Sequence, residues 1–497
     1  MDRTRKKTSL YQEIYKTLDA KLFRIVRSID KQVTKNLKDG KIETRPSNTN
    51  GLWCCVLLPT VLLLYSTLYE VSELYKFLAY LSVGLVAYCF LFIVFLSVTC
   101  LVLKENIYGG CAASTLTATL MLYAIQNQGL AFSLIFSASA VFAFNSLLRL
   151  ALLWYPKTFT VGEAMVVVQS IVLFAVMAVC EILYDMGDKQ DEELKFVYSV
   201  IFAILSTVAI IVAALYVLHE SQRTLSVLAY ILSVAGTYTL MILHAQVGVD
   251  CIVRLTEYVI LDTDRVKLFI LWVCSAVLSA FAILVRTQLN VKASTVTRKT
   301  FHILASIVFL SGILFDIKLM TLAAGVGFGL LILVEALRKS KIEPISSALQ
   351  AAFNVYSDEK DVGCFAMTPI YLYIGLACPL VLVPVHPGYE LELLSGVLSI
   401  GVGDTAASWF GSKFGFNKWA EGHKTLEGTA FNILTQIALM YALQLFRLLN
   451  IRNAFIRVSV TAAVSGLVEA KTEQVDNLIL PLVTLIAFQL TSVMCYT

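Results

Sequence analysis

The sequence predicts an all-α polytopic membrane protein with about fifteen transmembrane helices. Three observations carry that fold class. Apolar residues make up 58% of the 497-residue chain and charged ones only 15%, well below the roughly 25% charged content of soluble domains. Mean hydropathy over the whole length is +0.77, so the apolar excess recurs along the chain instead of residing in one anchor. The apolar runs are also long enough: 27 uncharged residues lie between Lys76 and Lys104, where about 20 suffice to cross the hydrocarbon as a helix. The same composition excludes disordered, collagen-like and secreted disulfide-scaffold chains.

Residues 1–50 hold 13 basic and 6 acidic side chains in a chain of net charge +4. Such a basic head suits an anionic cytoplasmic leaflet, and with no nucleic-acid module downstream no nucleic-acid partner is expected. The head lacks the pattern of a cleavable signal, so the first span is expected to serve as an uncleaved one. Helices follow at 51–70 and 77–103. The uncharged stretch 106–148 divides into helices 108–126 and 130–153 because the polar turn Gln126-Asn-Gln-Gly129 interrupts it. The same reading places helices at 164–184, 196–218, 224–245, 267–288, 302–316, 319–337, 369–385, 393–412, 428–449, 454–470 and 478–496. The eleven cysteines lack CxxC spacing and lie mostly within apolar runs, where they read as small buried hydrophobes and not as zinc ligands or disulfides.

An odd number of spans puts the two termini on opposite sides. With the head cytoplasmic, Lys and Arg divide about 29 to 10 in favour of the cytoplasmic side. Segments 289–301, 338–368, 413–427 and 471–477 then lie in the cytoplasm, and the C-terminus is lumenal. Composition changes near residue 290, from short connections to long charged loops. The expected organisation is therefore a basic segment 1–50, an N-terminal transmembrane bundle 51–290, and a C-terminal catalytic half 291–497 with cytoplasmic nucleotide-binding loops.

Charges in that half suggest chemistry. Asp404 lies inside a span, where an ionisable group is costly and marks a functional hypothesis. Gly401, Thr405, Ser408 and Ser412 form one helix stripe beside it, although such a stripe alone serves close helix packing equally well. Lys413, Lys418, His423 and Lys424 follow, then Glu427 with Gly428 and Thr429 in the first turn of the next helix. Cations and helix amides suit phosphate oxygens and carboxylates suit a metal ion, while a basic loop that only fixes topology is the alternative. Glu469 and Asp476 stand seven residues apart at a span boundary, where they could hold a divalent cation or take a proton from an alcohol, although Glu469 could equally pair with Lys471. Arg298, Lys299 and His302 open another span. On charge alone, Ser357 to Asp361 reads as a solvated loop. No P-loop, protein-kinase or Rossmann motif occurs, and Gly325, Gly327 and Gly329 sit in an apolar span as packing residues.

Val402-Gly-Asp-Thr-Ala-Ala-Ser408, Lys424-Thr-Leu-Glu-Gly-Thr429 and Leu467-Val-Glu-Ala-x-Thr-x-Gln-x-Asp-Asn-Leu478 with Pro481 resemble the C-terminal signature of the dolichol kinase family, endoplasmic-reticulum enzymes that phosphorylate dolichol with CTP. Arg298-Lys299 with His302, and Asp358 to Gly363, resemble its two earlier motifs. The likeness covers about residues 298 to 490. The Gly-Asp-Thr block is shared with the shorter CTP-dependent phytol, polyprenol and diacylglycerol kinases, but the additional N-terminal spans here favour the dolichol kinases. The chain departs from the family pattern at Ala420-Glu421, at His423 in place of lysine, and at Pro369 in place of histidine.

The resemblance implies transfer of the terminal phosphate of CTP to the dolichol hydroxyl, giving dolichyl phosphate for protein glycosylation. It implies Asp404, Glu469 and Asp476 as catalytic residues. The implied nucleotide loop comprises Gly415, Lys418, Trp419, Gly422, His423, Lys424, Thr425, Glu427, Gly428 and Thr429. A divalent cation, Mg2+ or Ca2+, would lie on Asp404 and Glu427, with Arg298, Lys299, His302, Asp358 and Asp361 as further site residues. The implied partners are CTP, dolichol and other polyisoprenoid lipids, and the membrane. Two other classes fit the residues less well. A phospholipid cytidylyltransferase would release pyrophosphate, and a transporter would spread its charges across both halves near mid-membrane.

Overall fold

The computed structural model describes residues 24–105, 107–184, 191–289, 291–357, 360–384, 390–419, 424–451 and 453–496, and among these the only β pairing is an isolated bridge between Lys418 and Thr425. The chain begins with α1 (Arg24–Asp39), a polar amphipathic helix whose Val33, Asn36 and Leu37 turn inward. A 3-10 turn then leads into α2 (Leu57–Leu68), followed by α3 (Glu73–Val98), α4 (Tyr108–Ala124), α5 (Leu130–Trp154) and α6 (Val161–Tyr184). Next come α7 (Glu192–Val217), α8 (Leu225–Val247), the short α9 (Cys251–Ile260), α10 (Thr263–Leu289), α11 (Thr295–Phe315) and α12 (Ile317–Lys339). The chain closes with α13 (Ile345–Tyr356), α14 (Met367–Leu382), α15 (Thr405–Phe414), α16 (Leu426–Leu445), α17 (Ala454–Lys471) and α18 (Asp476–Tyr496).

Each of the fifteen apolar intervals read from the sequence is helical. Among the described residues, nine helices are long and apolar enough to cross a membrane: α3, α5 to α8, α10 to α12 and α18. The remaining six intervals are shorter or more polar. Short polar side chains start many of the helices by accepting an otherwise orphaned N–H: Ser72 from Tyr75, Asp191 from Leu194, Thr224 from Val227, Ser294 from Thr297 and Asp316 from Leu319.

Successive long helices reverse direction, so the connections gather on two faces. On one face Asn36 donates to the Leu96 carbonyl at 2.8 Å and Ala293 donates to that of Val355 at 2.9 Å. On the other, Arg265 binds Glu193 at 2.6 Å and Asp316 at 2.7 Å, and the Tyr75 hydroxyl donates to the Leu382 carbonyl at 2.7 Å. Helices from before and after residue 290 share one apolar core, with Tyr65 of α2 and Phe488 of α18 both fully buried within it. A second cluster joins Val200 and Ala203 of α7 to Leu322 of α12.

Residues 397–404 form a π-helical stretch ahead of α15, an uncommon winding that shifts side chains around the axis and often marks functional sites. Glycines let this stretch sit deep. A Cβ at Gly401 would run into Ser306 of α11, and one at Gly403 would lie 2.6 Å from Asn432 Oδ1 and Gln436 Nε2 of α16. Below it, Glu392 and Arg457 form a buried ion pair at 2.5 Å, and Arg457 also donates to the Phe488 carbonyl at 3.1 Å. The pair ties the chain leading into the π stretch to α17 and α18.

Candidate active site

Asp404 ends the π stretch and is buried; Lys299, one turn into α11, points at it and the two form an ion pair. His302 lies one turn further along α11, buried beside Lys299, Asp404 and Asn477. Glu469 closes α17 and Asp476 opens α18. One oxygen each from Asp404, Glu469 and Asp476 lies within 4.8 Å of the others. Lys424 reaches into the same place: its Nζ lies 2.8 Å from Glu469 Oε1, 2.5 Å from the Glu469 carbonyl and 3.5 Å from Asp476 Oδ1. Burial alone would depress the Lys424 ammonium, but Asp476 and Glu469 outweigh it and hold its pKa above the ordinary lysine value. Lys424 is therefore charged at any physiological pH.

Three carboxylates and two ammonium groups thus meet at one end of the bundle. An all-oxygen acidic donor set of this kind fits a hard divalent cation, and the lysines offset the negative charge that the cluster would otherwise concentrate. Asp404, Glu469 and Asp476 are the described residues that could hold such an ion.

Glu427 stands apart from this cluster. It accepts from the Asn417 backbone at 3.2 Å and from Asn417 Nδ2 at 2.7 Å, so it braces its own loop, and a metal role beside Asp404 would require it to leave Asn417. The loop folds back on itself: Trp419 N donates to the Lys424 carbonyl at 3.0 Å, Leu426 N to that of Asn417 at 2.8 Å, and Trp419 Nε1 to Thr429 Oγ1 at 3.0 Å. Thr425 caps α16 by accepting from Gly428 N at 3.1 Å. Gly415 and Gly428 are close-packing positions, since a Cβ at Gly428 would come 3.0 Å from the Ala407 carbonyl and one at Gly415 would meet Thr425. Lys418 pairs with Thr425 through the isolated bridge. Gly422, His423 and Asp358 lie outside the described residues. Asp361 accepts from Thr368 N at 2.9 Å and so starts α14, while Arg298 lies at the exposed mouth, its guanidinium 3.4 Å from Thr295 Oγ1.

A sequence profile described as dolichol kinase matches residues 75–402, about two thirds of the chain. The chain belongs to the dolichol kinase family. Among curated proteins it is similar to dolichol kinase of Mus musculus, 29% identical over 401 residues that cover 76% of this chain and 73% of that one. The corresponding protein of Homo sapiens is 29% identical over 70% of this chain and 67% of its own, and that of Saccharomyces cerevisiae 24% identical over 48% and 45%. No solved structure matches. The dolichol kinase profile stops two residues short of Asp404, so the grouping of Asp404, Glu469, Asp476, Lys299 and Lys424 rests on geometry.

Sequence reasoning passed over three participants. Lys360, in the segment read on charge as a solvated loop, lies 3.9 Å from Asp476 Oδ2. Glu163 and Arg45 form a fully buried pair at 2.7 Å near the same loop. Glu163 carried a signal, since it is an acid at the mouth of an apolar run, but its partner is 118 residues away and nothing in the sequence marks Arg45 among its basic neighbours.

Proposed function

We propose that this protein is a dolichol kinase whose phosphate donor is CTP, and that Asp404, Glu469, Asp476, Lys299 and Lys424 form its reaction centre. The observation that carries the reading is the convergence of three acidic oxygens and two ammonium groups, from separate helices and a loop, at the end of an apolar bundle. A lipid-borne hydroxyl and a soluble nucleotide can meet only at such a boundary.

In the proposed reaction the dolichol oxygen bonds to the terminal phosphorus of CTP, the bond from that phosphorus to the bridging oxygen breaks, and CDP departs. One carboxylate of the Glu469 and Asp476 pair accepts the hydroxyl proton; the other, with Asp404, would hold a divalent cation. That cation, Mg2+ or Ca2+, supplies charge neutralisation for the phosphates when bound. Lys299 and Lys424 balance the carboxylates and are placed to bind phosphate oxygens, with the α16 N-terminus behind Lys424. The loop of Gly415, Lys418, Trp419 and Thr425 to Thr429 forms the wall on the nucleotide side.

Given fifteen crossings of the endoplasmic-reticulum membrane, positive-inside asymmetry supports an orientation with the N-terminus and this centre cytoplasmic and the C-terminus lumenal. The product, dolichyl phosphate, would serve protein glycosylation.

The test gives membranes bearing the protein terminally labelled CTP or ATP with dolichol, phytol or diacylglycerol. Label should pass from CTP to dolichol with release of CDP. Pyrophosphate release would instead make the protein a cytidylyltransferase, and preference for ATP, phytol or diacylglycerol would overturn the proposed donor or acceptor.

A further inference from the structure

Asp476 opens α18 immediately after the crossing Thr472–Val475, and residues at the far end of the sequence hold that crossing. Glu163, fully buried in the first turn of α6, accepts from Arg45 Nε at 3.0 Å, Arg45 Nη2 at 2.7 Å, Thr160 N at 3.0 Å and Val475 N at 3.0 Å. Gln474, also buried, accepts from Thr160 Oγ1 at 2.6 Å and donates to the Thr49 carbonyl at 3.0 Å. Glu473 accepts from Asn48 N at 2.8 Å and from Asn48 Nδ2 at 2.7 Å, and Arg45 Nη2 lies 3.4 Å from the Glu473 carbonyl. Each of the three residues ahead of Asp476 is thus fixed from segments 45–50 or 160–163. Two glycines allow the approach. Gly51 has φ 65 and its Cβ would meet the Gln474 side chain at 2.5 Å, and a Cβ at Gly162 would collide with the Gly51 carbonyl.

A buried ion pair is weak evidence for stability, because desolvation offsets the attraction and apolar replacements of similar volume are often neutral. This pair does something an apolar plug would not: the Glu163 carboxylate gathers donors from three chain segments and ends on the backbone one residue before Asp476. We infer that Arg45 and Glu163 are positioning residues for the phosphoryl transfer, holding the 472–475 crossing so that Asp476 faces Asp404 and Glu469. The inference rests on the assignment of Asp476 to the reaction centre.

The experiment compares wild type, Asp476→Asn, and the double variant Arg45→Met/Glu163→Leu, which removes both buried charges at similar volume. The double variant leaves the buried Thr160 and Val475 amides without their acceptor, so it should melt below wild type while still accumulating in membranes. Its kcat should fall at least about tenfold, with the KM for dolichol little changed. The Mg2+ concentration for half-maximal activity should rise several-fold, and the gain in melting temperature on adding Mg2+ should shrink as it does in Asp476→Asn. If Asp476→Asn keeps normal turnover, the carboxylate reading itself fails. If Asp476→Asn is inactive while the double variant keeps wild-type kcat, Mg2+ requirement and Mg2+-dependent melting, only the positioning role fails. Should the double variant not accumulate, Thr160→Val removes the hydroxyl that binds Gln474 and reads the same quantities. A smaller shift in the same direction is expected there, and an unchanged Mg2+ requirement would overturn the inference.

Discussion

In the proposed reaction Asp404 is the central residue, because it is the most buried of the three clustered acids and is ion-paired to Lys299 from another helix. Asp404→Asn keeps the volume and removes the charge. We expect turnover to drop at least about a hundredfold while the protein still accumulates in membranes; near-normal phosphorylation of dolichol by this variant would remove Asp404 from the site. The two loop lysines should behave differently. Lys424 touches Glu469 and Asp476, whereas Lys418 is tied to Thr425 through the backbone bridge. Lys424→Ala should raise the KM for CTP by about tenfold or more and Lys418→Ala by less than about threefold. Equal effects of the two substitutions would show that the phosphates lie along the whole loop and not over the carboxylates. At this scale the sequence exposed the candidates but not their pairings. Asp404 and Lys299 are 105 residues apart, and Glu427, chemically as good a ligand as Glu469, turns instead to Asn417 because Asn417 packs against the start of its own helix.

Among the elements, the stretch from Glu390 to Asp404 matters most, since it carries Asp404 and departs from regular α-helix over residues 397–404. Its lower end is held by the Glu392–Arg457 pair, 0% and 1% exposed. Removing one member leaves the other charge buried alone. Arg457→Ala should therefore cost about 3–5 kcal/mol, while Arg457→Met/Glu392→Leu should recover most of that loss. Thermal melting in detergent measures both, and a lone Arg457→Ala that melts like wild type would mean water reaches the pair. Helix existence was legible in the sequence here, because hydrophobic length and polar caps are local properties. The π winding was not: Gly401 read as one position of a small-residue stripe, and only the side chains of Ser306, Asn432 and Gln436 show what Gly401 and Gly403 make room for.

At the scale of the whole molecule, the reversal of successive helices puts residues 415–419, the 472–475 crossing and segment 45–51 on one face. An epitope at the N-terminus and a label in the 413–427 loop should both be accessible from the cytoplasmic side of sealed microsomes, and a tag after Thr497 only from the lumen. Protease protection of the loop label would reverse the topology. The sequence by itself determined that this is a multi-pass helical membrane protein, where its apolar helices lie but not the more polar ones at Arg24–Asp39, Cys251–Ile260 and Ile345–Tyr356, and which short motifs liken it to dolichol kinases. Those features depend on composition and on residues close together in the chain. Tertiary structure alone decided which acids meet, that Lys299 and Lys424 lie between them, and that α18 packs on α2 and α7 on α12, across the change of composition near residue 290. The physical reason is that a bilayer specifies each helix separately, through its apolar length, but leaves the choice of neighbours to side-chain shape and to buried polar groups. Those groups must find partners wherever in the chain the partners occur.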